Sequence, residues 1–184
     1  EITASDWSSD VCSSDLVGER GAVTRARVNW ARRLHAPLLA GDETRAWALL
    51  NDALAWGHDL SSVHLDVLVP ALAAVGDDRD AGRIGAAQER IAVATATRLV
   101  ARLGGRAPRP GRRKGTVLLA LPPGEHHGLP LAVVANLVRH AGYRVVELGT
   151  DTPPDEVVDA LDAAPDLVAV GLGATTVDRL DDAH

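Results

Sequence analysis

The sequence predicts an all-α four-helix bundle followed by a parallel α/β domain, and two observations support this fold class. Between Val23 and Leu103, apolar residues recur at three- and four-residue spacing, which is typical of amphipathic helices. Between Thr116 and Leu148, a short β-branched run, a helical pattern and a second short apolar run follow one another. Such a strand–helix–strand unit joins two parallel strands through a right-handed crossover.

Four helices connected by short loops are predicted in the first segment, residues 23–103, and they indicate a four-helix bundle. Their predicted bounds are Val23–Leu39, Glu43–Trp56, a helix capped by Ser61 or Ser62, and Gly85–Leu103. Asp42 is a candidate N-cap, and Pro70 predicts either a kink or a later helix start. The positions predicted to face the core are Trp30, Leu34, Leu38, Ala46, Leu49, Leu50, Ala53, Val63, Val67, Pro70, Ala71, Ala74, Ile91, Ala94, Thr95, Leu99 and Leu103.

The composition narrows the class of protein. Of the 184 residues, 46% are hydrophobic and 24% are charged, which is typical of globular material with room for one domain or two small ones. The net charge of −6 gives no support for general nucleic-acid binding. A single cysteine, Cys12, provides neither a disulfide framework nor a thiolate metal site. Neither an 18-residue apolar run nor a signal peptide is present, so we expect a cytoplasmic protein without a membrane partner.

Residues 1–16 are set aside as a probable artefact, because Asp6–Leu16 back-translates into a widely used sequencing-library adapter. The alternative is a Ser/Asp-rich disordered arm. The adapter interpretation, together with the absence of any methionine, predicts that the chain is a fragment. A second non-structural stretch, residues 104–115, contains glycine, proline and basic residues, and it is predicted to be an interdomain linker rather than a phosphate-binding or nucleic-acid-binding segment.

The second segment, residues 116–184, predicts a Rossmann-like (flavodoxin-like) parallel domain that is truncated at its C-terminus. Strand Thr116–Leu121 is followed by helix Leu129–His140 and strand Tyr143–Leu148. Thr152 is a candidate cap for a helix with proline in its first turn, and Asp166–Gly173 predicts a third strand with both faces covered. The residues predicted to face the sheet from the two helices are Leu131, Val134, Ala135, Val138, Val157, Val158 and Leu161.

The candidate site is the tripeptide Glu125-His126-His127, which lies after the first strand. Ligands bind parallel sheets at the carboxyl ends of the strands. A histidine there can offer an imidazole nitrogen to a metal ion, while a carboxylate two residues earlier holds its other N–H. Two alternatives remain: an exposed polar loop without a role, and a zinc site that uses all three side chains.

The segment resembles the cobalamin-binding domain family, whose signature after the first strand is Asp/Glu-x-His-x-x-Gly. Glu125 and His127 match this signature, and Glu147–Pro153 is similar to the loop after the family's second strand. The resemblance implies that His127 is the lower axial cobalt ligand, that Glu125 is its hydrogen-bond partner, and that Gly128 and Thr175 contact the cofactor.

Two positions in this domain depart from the family pattern. Pro130 stands at the family's glycine, and Gly173 stands where the family has a serine that contacts the nucleotide tail, with Thr175 as a partial substitute. Close backbone approach explains Gly173 equally well. The family's domain also continues beyond His184, so we expect residues 116–184 to have an open sheet edge and to be less stable than a full-length domain, which urea unfolding would test.

The helical segment resembles the cap that precedes this domain in light-sensing MerR-type regulators. The resemblance is carried by Gly41-Asp42, Ala46, Gly57, Leu60, Pro70–Leu72 and Val75-Gly76. That cap has a Trp, nine residues, and then Glu-His around the upper adenosyl ligand. Here Arg79, Glu89 and Arg90 occupy these positions and are carried over as cofactor-binding residues. Arg79 could instead pair with Glu89 or contact a corrin side chain, or both arginines could be solvated.

The resemblance implies a non-enzymatic cobalamin-binding module of a sensor or transcription regulator. The cofactor could be adenosyl-, methyl- or hydroxocobalamin. DNA would be bound only through a domain preceding Val17, and a homo-oligomer is an open alternative. Two other functions remain: a corrinoid carrier for a methyltransferase or mutase, and a degenerate module that binds no cofactor and serves in protein interaction or dimerisation.

Overall fold

The computed structural model describes residues 28–106 and 113–174. The predicted artefact, the beginning of the first predicted helix, much of the linker, and Thr175 lie outside these residues. The helices are α1 Trp30–Ala40, α2 Glu43–Ala55, α3 Leu60–Asp80, α4 Ala86–Gly104, α5 Gly128–His140 and α6 Pro154–Ala163, and the strands are β1 Thr116–Ala120, β2 Arg144–Gly149 and β3 Leu167–Leu172. The predicted fold class, four helices followed by a parallel α/β unit, is confirmed.

Side-chain caps fix where the helices begin. The Asn29 side chain accepts a hydrogen bond from the Arg32 N–H at 2.9 Å, so α1 starts at Trp30 rather than at Val23. Asp42 caps α2 as predicted, at 2.9 Å from the Arg45 nitrogen. The serine cap of the third helix was predicted wrongly. Asp59, the residue before that helix, accepts the Ser62 N–H at 2.7 Å instead, and the serines lie inside the helix.

Helix α3 contains a π-helical turn, Val63–Leu68, directly before the α-helical part that carries Pro70 near its start. Because a π turn holds more residues than an α turn, it changes which side chains face the core. Pro70 is exposed, so its predicted core position is wrong. By length and composition α3 could cross a membrane. This is weak evidence for a membrane span, because one stripe of its side chains lies in the helical core.

One hydrophobic core is shared by helices α1–α4, which we call the helical domain. Its buried residues in these helices and the α3–α4 loop are Trp30, Leu34, Leu38, Ala46, Leu50, Ala53, Val63, Val67, Leu68, Ala71, Val75, Ile84, Ala92, Ala96, Leu99, Val100 and Leu103. Two predicted core positions, Ile91 and Ala94, are exposed. Ile91 lies beside the turn between α1 and α2, where a Cβ on Gly41 would be 3.0 Å from its Cγ2.

The three strands form a parallel sheet in the order β2-β1-β3. Strand β1 is buried along its whole length, as predicted. Strand β3 was predicted to be covered on both faces, and this is wrong for the described residues. Val168, Val170 and Leu172 are 56%, 43% and 46% exposed, because β3 is an edge strand and no described element packs over these side chains. On α6, Val158 is also exposed rather than facing the sheet.

The start of α6 also differs from the prediction. Thr152 does not cap the helix: the residue before α6 is Pro153, and the Thr152 hydroxyl is directed to the Gly149 carbonyl at 3.4 Å. Pro154 does lie in the first turn, as predicted.

Helix α5 connects the sheet with the helical domain. Leu131 and Ala135 pack against the β1 residues that face α5, whereas Val133 is buried in the core of the helical domain. The predicted apolar stripe is therefore only partly correct, since Val134 is 44% exposed. Helix α5 therefore has two buried faces, one towards the sheet and one towards the helical domain. Pro130, Leu131 and Val134 of this helix line a cavity at the end of the sheet.

Candidate functional site

The loop between β1 and α5 brings Glu125 and His127 together. Glu125 is only 2% exposed, and its Oε1 accepts hydrogen bonds from the His127 backbone N–H at 3.0 Å and from Nδ1 at 2.6 Å. A carboxylate acceptor places the proton on Nδ1, so Nε2 is the ring nitrogen with a lone pair for a metal. The His127 side chain itself is 73% exposed. The dyad thus combines a buried acceptor with an accessible imidazole.

A zinc site made by the tripeptide is not formed. In the described part of the chain, no three His, Cys, Asp or Glu side chains are grouped so that they could hold a metal ion. The His126 side chain is exposed and only its backbone carbonyl has an evident local role, since it accepts the Gly128 N–H at 3.0 Å. The interpretation as a three-ligand zinc centre is therefore wrong.

The loops after β1 and β2 are joined directly behind this dyad. Asp151 donates its backbone N–H to the Glu125 carbonyl at 3.0 Å, and its Oδ1 accepts the Gly124 N–H at 2.6 Å. Gly128 lies against the same loop: a Cβ there would be 3.1 Å from the Thr150 Cγ2. Asp151 was not predicted to be a site residue, although it belongs to the Glu147–Pro153 stretch that resembles the family's loop after the second strand.

An apolar cavity of about 210 Å³ opens beside His127, between α5 and the carboxyl ends of β1 and β3. Its space depends on two glycines in or directly after β3. A Cβ on Gly171 would lie 2.7 Å from Leu119 Cδ2, and one on Gly173 would lie 2.7 Å from Leu121 Cδ2. A side chain at position 173 would therefore have to displace the end of the Leu121 side chain. Pro130, in the first turn of α5, forms part of the wall.

The three residues predicted in the helical domain lie elsewhere. Arg79 Nε is 3.4 Å from Glu89 Oε2 in an exposed ion pair, which is one of the alternatives that the sequence left open, and Arg90 is exposed. Helix α4 contacts α5 through Val100, whose carbonyl accepts the Asn136 Nδ2–H at 2.8 Å. Glu89 precedes Val100 by eleven residues, or about 16 Å along the helix. The cofactor-binding role of Arg79, Glu89 and Arg90 stays a prediction.

A buried polar group joins the two domains. Asn136 Nδ2 lies 3.2 Å from His64 Nε2 as well as contacting Val100, and both side chains are almost fully buried. His64 Nδ1 lies 2.7 Å from the Leu60 carbonyl, so Nδ1 is the donor and Nε2 the acceptor. Burial lowers the pKa of His64. An asparagine within an apolar helical pattern was the available sequence signal for this contact.

Comparisons with known proteins find similar sequences and a similar fold. Residues 30–103 match the model of the B12 binding domain family. Over 164 residues the chain is 32% identical to the HTH-type transcriptional repressor CarH of Myxococcus xanthus. This alignment covers 86% of this chain and 54% of that protein. It is 34% identical over 65 residues to a methanol–corrinoid protein of Methanosarcina barkeri (strain Fusaro / DSM 804), covering 35% of this chain and 25% of that protein.

The chain thus spans about half the length of one curated relative and a quarter of the other. Among solved structures, the monomethylamine corrinoid protein of Methanosarcina barkeri has a TM-score of 0.65 at 20% sequence identity. That alignment covers 80% of this chain and 70% of the other. The likeness shows that the two chains share a fold.

Proposed function

We propose that this chain, whose residues 30–103 belong to the B12 binding domain family, binds cobalamin with His127 as the lower axial ligand of cobalt. The observation that carries the proposal is the 2.6 Å contact between His127 Nδ1 and Glu125 Oε1. It fixes the tautomer and directs Nε2 to coordination. In this function Glu125 is the supporting carboxylate and Gly128 brings the two loops together.

The donor set fits the cofactor. A corrin macrocycle supplies the equatorial ligands of its cobalt, so the protein needs to provide only one axial nitrogen, and a single accessible imidazole with a buried carboxylate behind it meets this need. The apolar cavity beside His127 suits the non-polar parts of such a ligand. When bound, cobalamin supplies the cobalt–carbon chemistry, and the protein supplies binding and orientation rather than a reaction of its own.

We further propose that the module serves a sensor or regulatory protein and lies in the cytoplasm. The likeness to the repressor CarH extends over 86% of this chain, whereas the likeness to the methanol–corrinoid protein covers 35% of it. The second likeness favours a corrinoid carrier as the other candidate. Any contact with DNA would belong to a further domain. Arg79 and Arg90 replace the residues that the resemblance places around an adenosyl group, so we do not expect the upper ligand to be enclosed in the same way.

The test is a visible absorption spectrum. The chain is mixed in the dark with hydroxocobalamin or adenosylcobalamin and then desalted, and we expect bound colour to co-elute with the protein. The His127→Ala variant should lose this colour or show shifted bands, whereas His126→Ala, a change at the exposed neighbour, should not. Colourless protein, or identical spectra for both variants, would contradict the proposal. A spectral change on illumination of the adenosyl form would favour the sensor over the carrier.

A further inference from the structure

We infer that Asp151 is a positioning residue for the cofactor ligand: it holds the backbone of Glu125 and thereby fixes the His127 imidazole. The inference rests on the proposed function, because it concerns the same axial ligand. It differs from the resemblance, which assigned no role to Asp151. Asp151 contacts the loop that carries Glu125, and the Glu125 carboxylate contacts the His127 imidazole.

Asp151 binds both ends of a short piece of the loop. Its Oδ1 accepts the Gly124 N–H at 2.6 Å, and its own N–H donates to the Glu125 carbonyl at 3.0 Å. One residue therefore fixes the two peptide groups that flank the Gly124–Glu125 link. The short distance to a carboxylate oxygen indicates a charge-assisted hydrogen bond, which is stronger than a bond between neutral groups.

We call the two hydrogen bonds of Asp151, to Gly124 and to Glu125, the clamp. The backbone of Asp151 adopts an uncommon conformation in this clamp. Its φ is +55°, a left-handed value that L-residues rarely take, and aspartate is among the few side chains that tolerate it. Strained backbone at a site of proposed binding is consistent with a positioning role. The side chain is exposed, so Asp151 contributes little to the core and can be changed without removing packed atoms.

The clamp acts on His127 through Glu125. The Glu125 carboxylate is buried, and its Oε1 accepts both N–H groups of His127. A shift of the Glu125 backbone would carry Oε1 away from Nδ1, because the carboxylate has little space in which to compensate. The imidazole would then exchange between tautomers and rotamers, and fewer molecules would present Nε2 to cobalt.

Two substitutions of Asp151 and one control distinguish the effect of its side chain from the effect of its backbone conformation. Asp151→Asn keeps both the acceptor oxygen and a residue that tolerates the left-handed region. Asp151→Gly keeps the conformation and removes the acceptor. The matched control is Asp166→Gly, since Asp166 also has a left-handed φ, of +53°, but lies before β3 and makes no described contact with the Glu125 loop.

The first readout needs no cofactor. Nitrogen-15 NMR of the histidine rings distinguishes the Nδ1–H from the Nε2–H tautomer in the full chain. We expect His127 to be in the Nδ1–H form in the parent protein, in Asp151→Asn and in Asp166→Gly, and to become a mixture in Asp151→Gly. An unchanged tautomer in Asp151→Gly would overturn the inference, whether or not the protein binds cobalamin.

The second readout is electron paramagnetic resonance of the protein with cob(II)alamin, with histidine labelled by ¹⁵N. The splitting from the axial nitrogen reports whether that nitrogen comes from the protein. We expect Asp151→Gly to weaken histidine-ligated binding about tenfold, a typical effect of removing an outer hydrogen-bonding partner of a ligand. Splitting that persists in His127→Ala would refute the proposed ligand, whereas full histidine ligation in Asp151→Gly would refute only the clamp.

Discussion

Replacing Asn136 by alanine should measure how strongly the helical domain is attached to the α/β domain. Asn136 is 6% exposed, and its Nδ2 contacts two acceptors, the Val100 carbonyl at 2.8 Å and His64 Nε2 at 3.2 Å. Its Oδ1 also accepts from Arg139 at 3.3 Å. The alanine variant removes both donor contacts and leaves His64 Nε2 as a buried acceptor without its partner, which costs more than the bond itself contributed.

The expected loss follows from these contacts. The bond to Val100 contributes about 1 kcal/mol, and the uncompensated burial of His64 Nε2 costs about 1–3 kcal/mol, so we expect the free energy of unfolding to fall by about 2–4 kcal/mol. Equilibrium unfolding in urea, followed by circular dichroism, measures this difference. The matched control is Asn51→Ala: Asn51 Nδ2 also donates to a helical carbonyl, that of Trp47 at 2.9 Å, but at a part-buried site, so the loss should stay below about 1 kcal/mol.

A double-mutant cycle isolates the contact between the two domains. Once His64→Leu has removed the buried acceptor, Asn136→Ala should cost less, and we expect a coupling energy of about 1–2 kcal/mol. Additive effects of the two changes, or a loss in Asn136→Ala no larger than that in Asn51→Ala, would refute the reasoning. Either result would mean that apolar packing of α5, rather than the buried polar group, attaches the domains.

Three further predictions follow from the described contacts. Because burial lowers the pKa of His64, the unfolded chain binds more protons below about pH 6.5, so stability should fall as the pH drops through that value, and less steeply in His64→Leu. Arg79→Ala should lower the free energy of unfolding measured in urea by about 0.5 kcal/mol or less, because its ion pair with Glu89 is exposed; a loss above about 1 kcal/mol would contradict this. Gly173→Ser should lower the thermal midpoint, because the new Cβ meets Leu121 Cδ2. In a Leu121→Ala background the same serine should lower the midpoint less, and equal effects in both backgrounds would argue against that contact.

The order of the helices and strands could be predicted because its signals are local. Asp42 caps α2 as expected, and the β-branched run that begins at Thr116 forms a buried strand. Exposure was predicted less well because it depends on which element lies alongside. The nearly continuous apolar run that predicted a covered β3 is the same whether or not another element lies over Val170. The sequence also did not reveal the π turn that precedes the exposed Pro70.

In the candidate site, as in the fold, features that depend on neighbouring residues could be predicted, and contacts between distant residues could not. Glu125 and His127 are two residues apart, so their spacing allowed the hydrogen bond that the resemblance implied, and the structure contains it. The clamp by Asp151 spans 27 positions from Gly124, and the contact between His64 and Asn136 spans 72. Such contacts depend on how loops and helices pack in three dimensions, and a single sequence does not show which distant residues pack together.

The departures from the cobalamin-binding pattern divide into two groups with different consequences. Pro130 is the third residue of α5, where a backbone N–H has no helical partner, so proline is compatible with the helix start. Gly173 lies against the end of the Leu121 side chain. Neither change disturbs the bond between Glu125 and His127. Arg79, in contrast, alters the charge near Glu89, about 16 Å or more along α4 from the contact with α5. Ligation by His127 and enclosure of the upper ligand are therefore separable properties, and we expect this chain to retain the first even where it has changed the second.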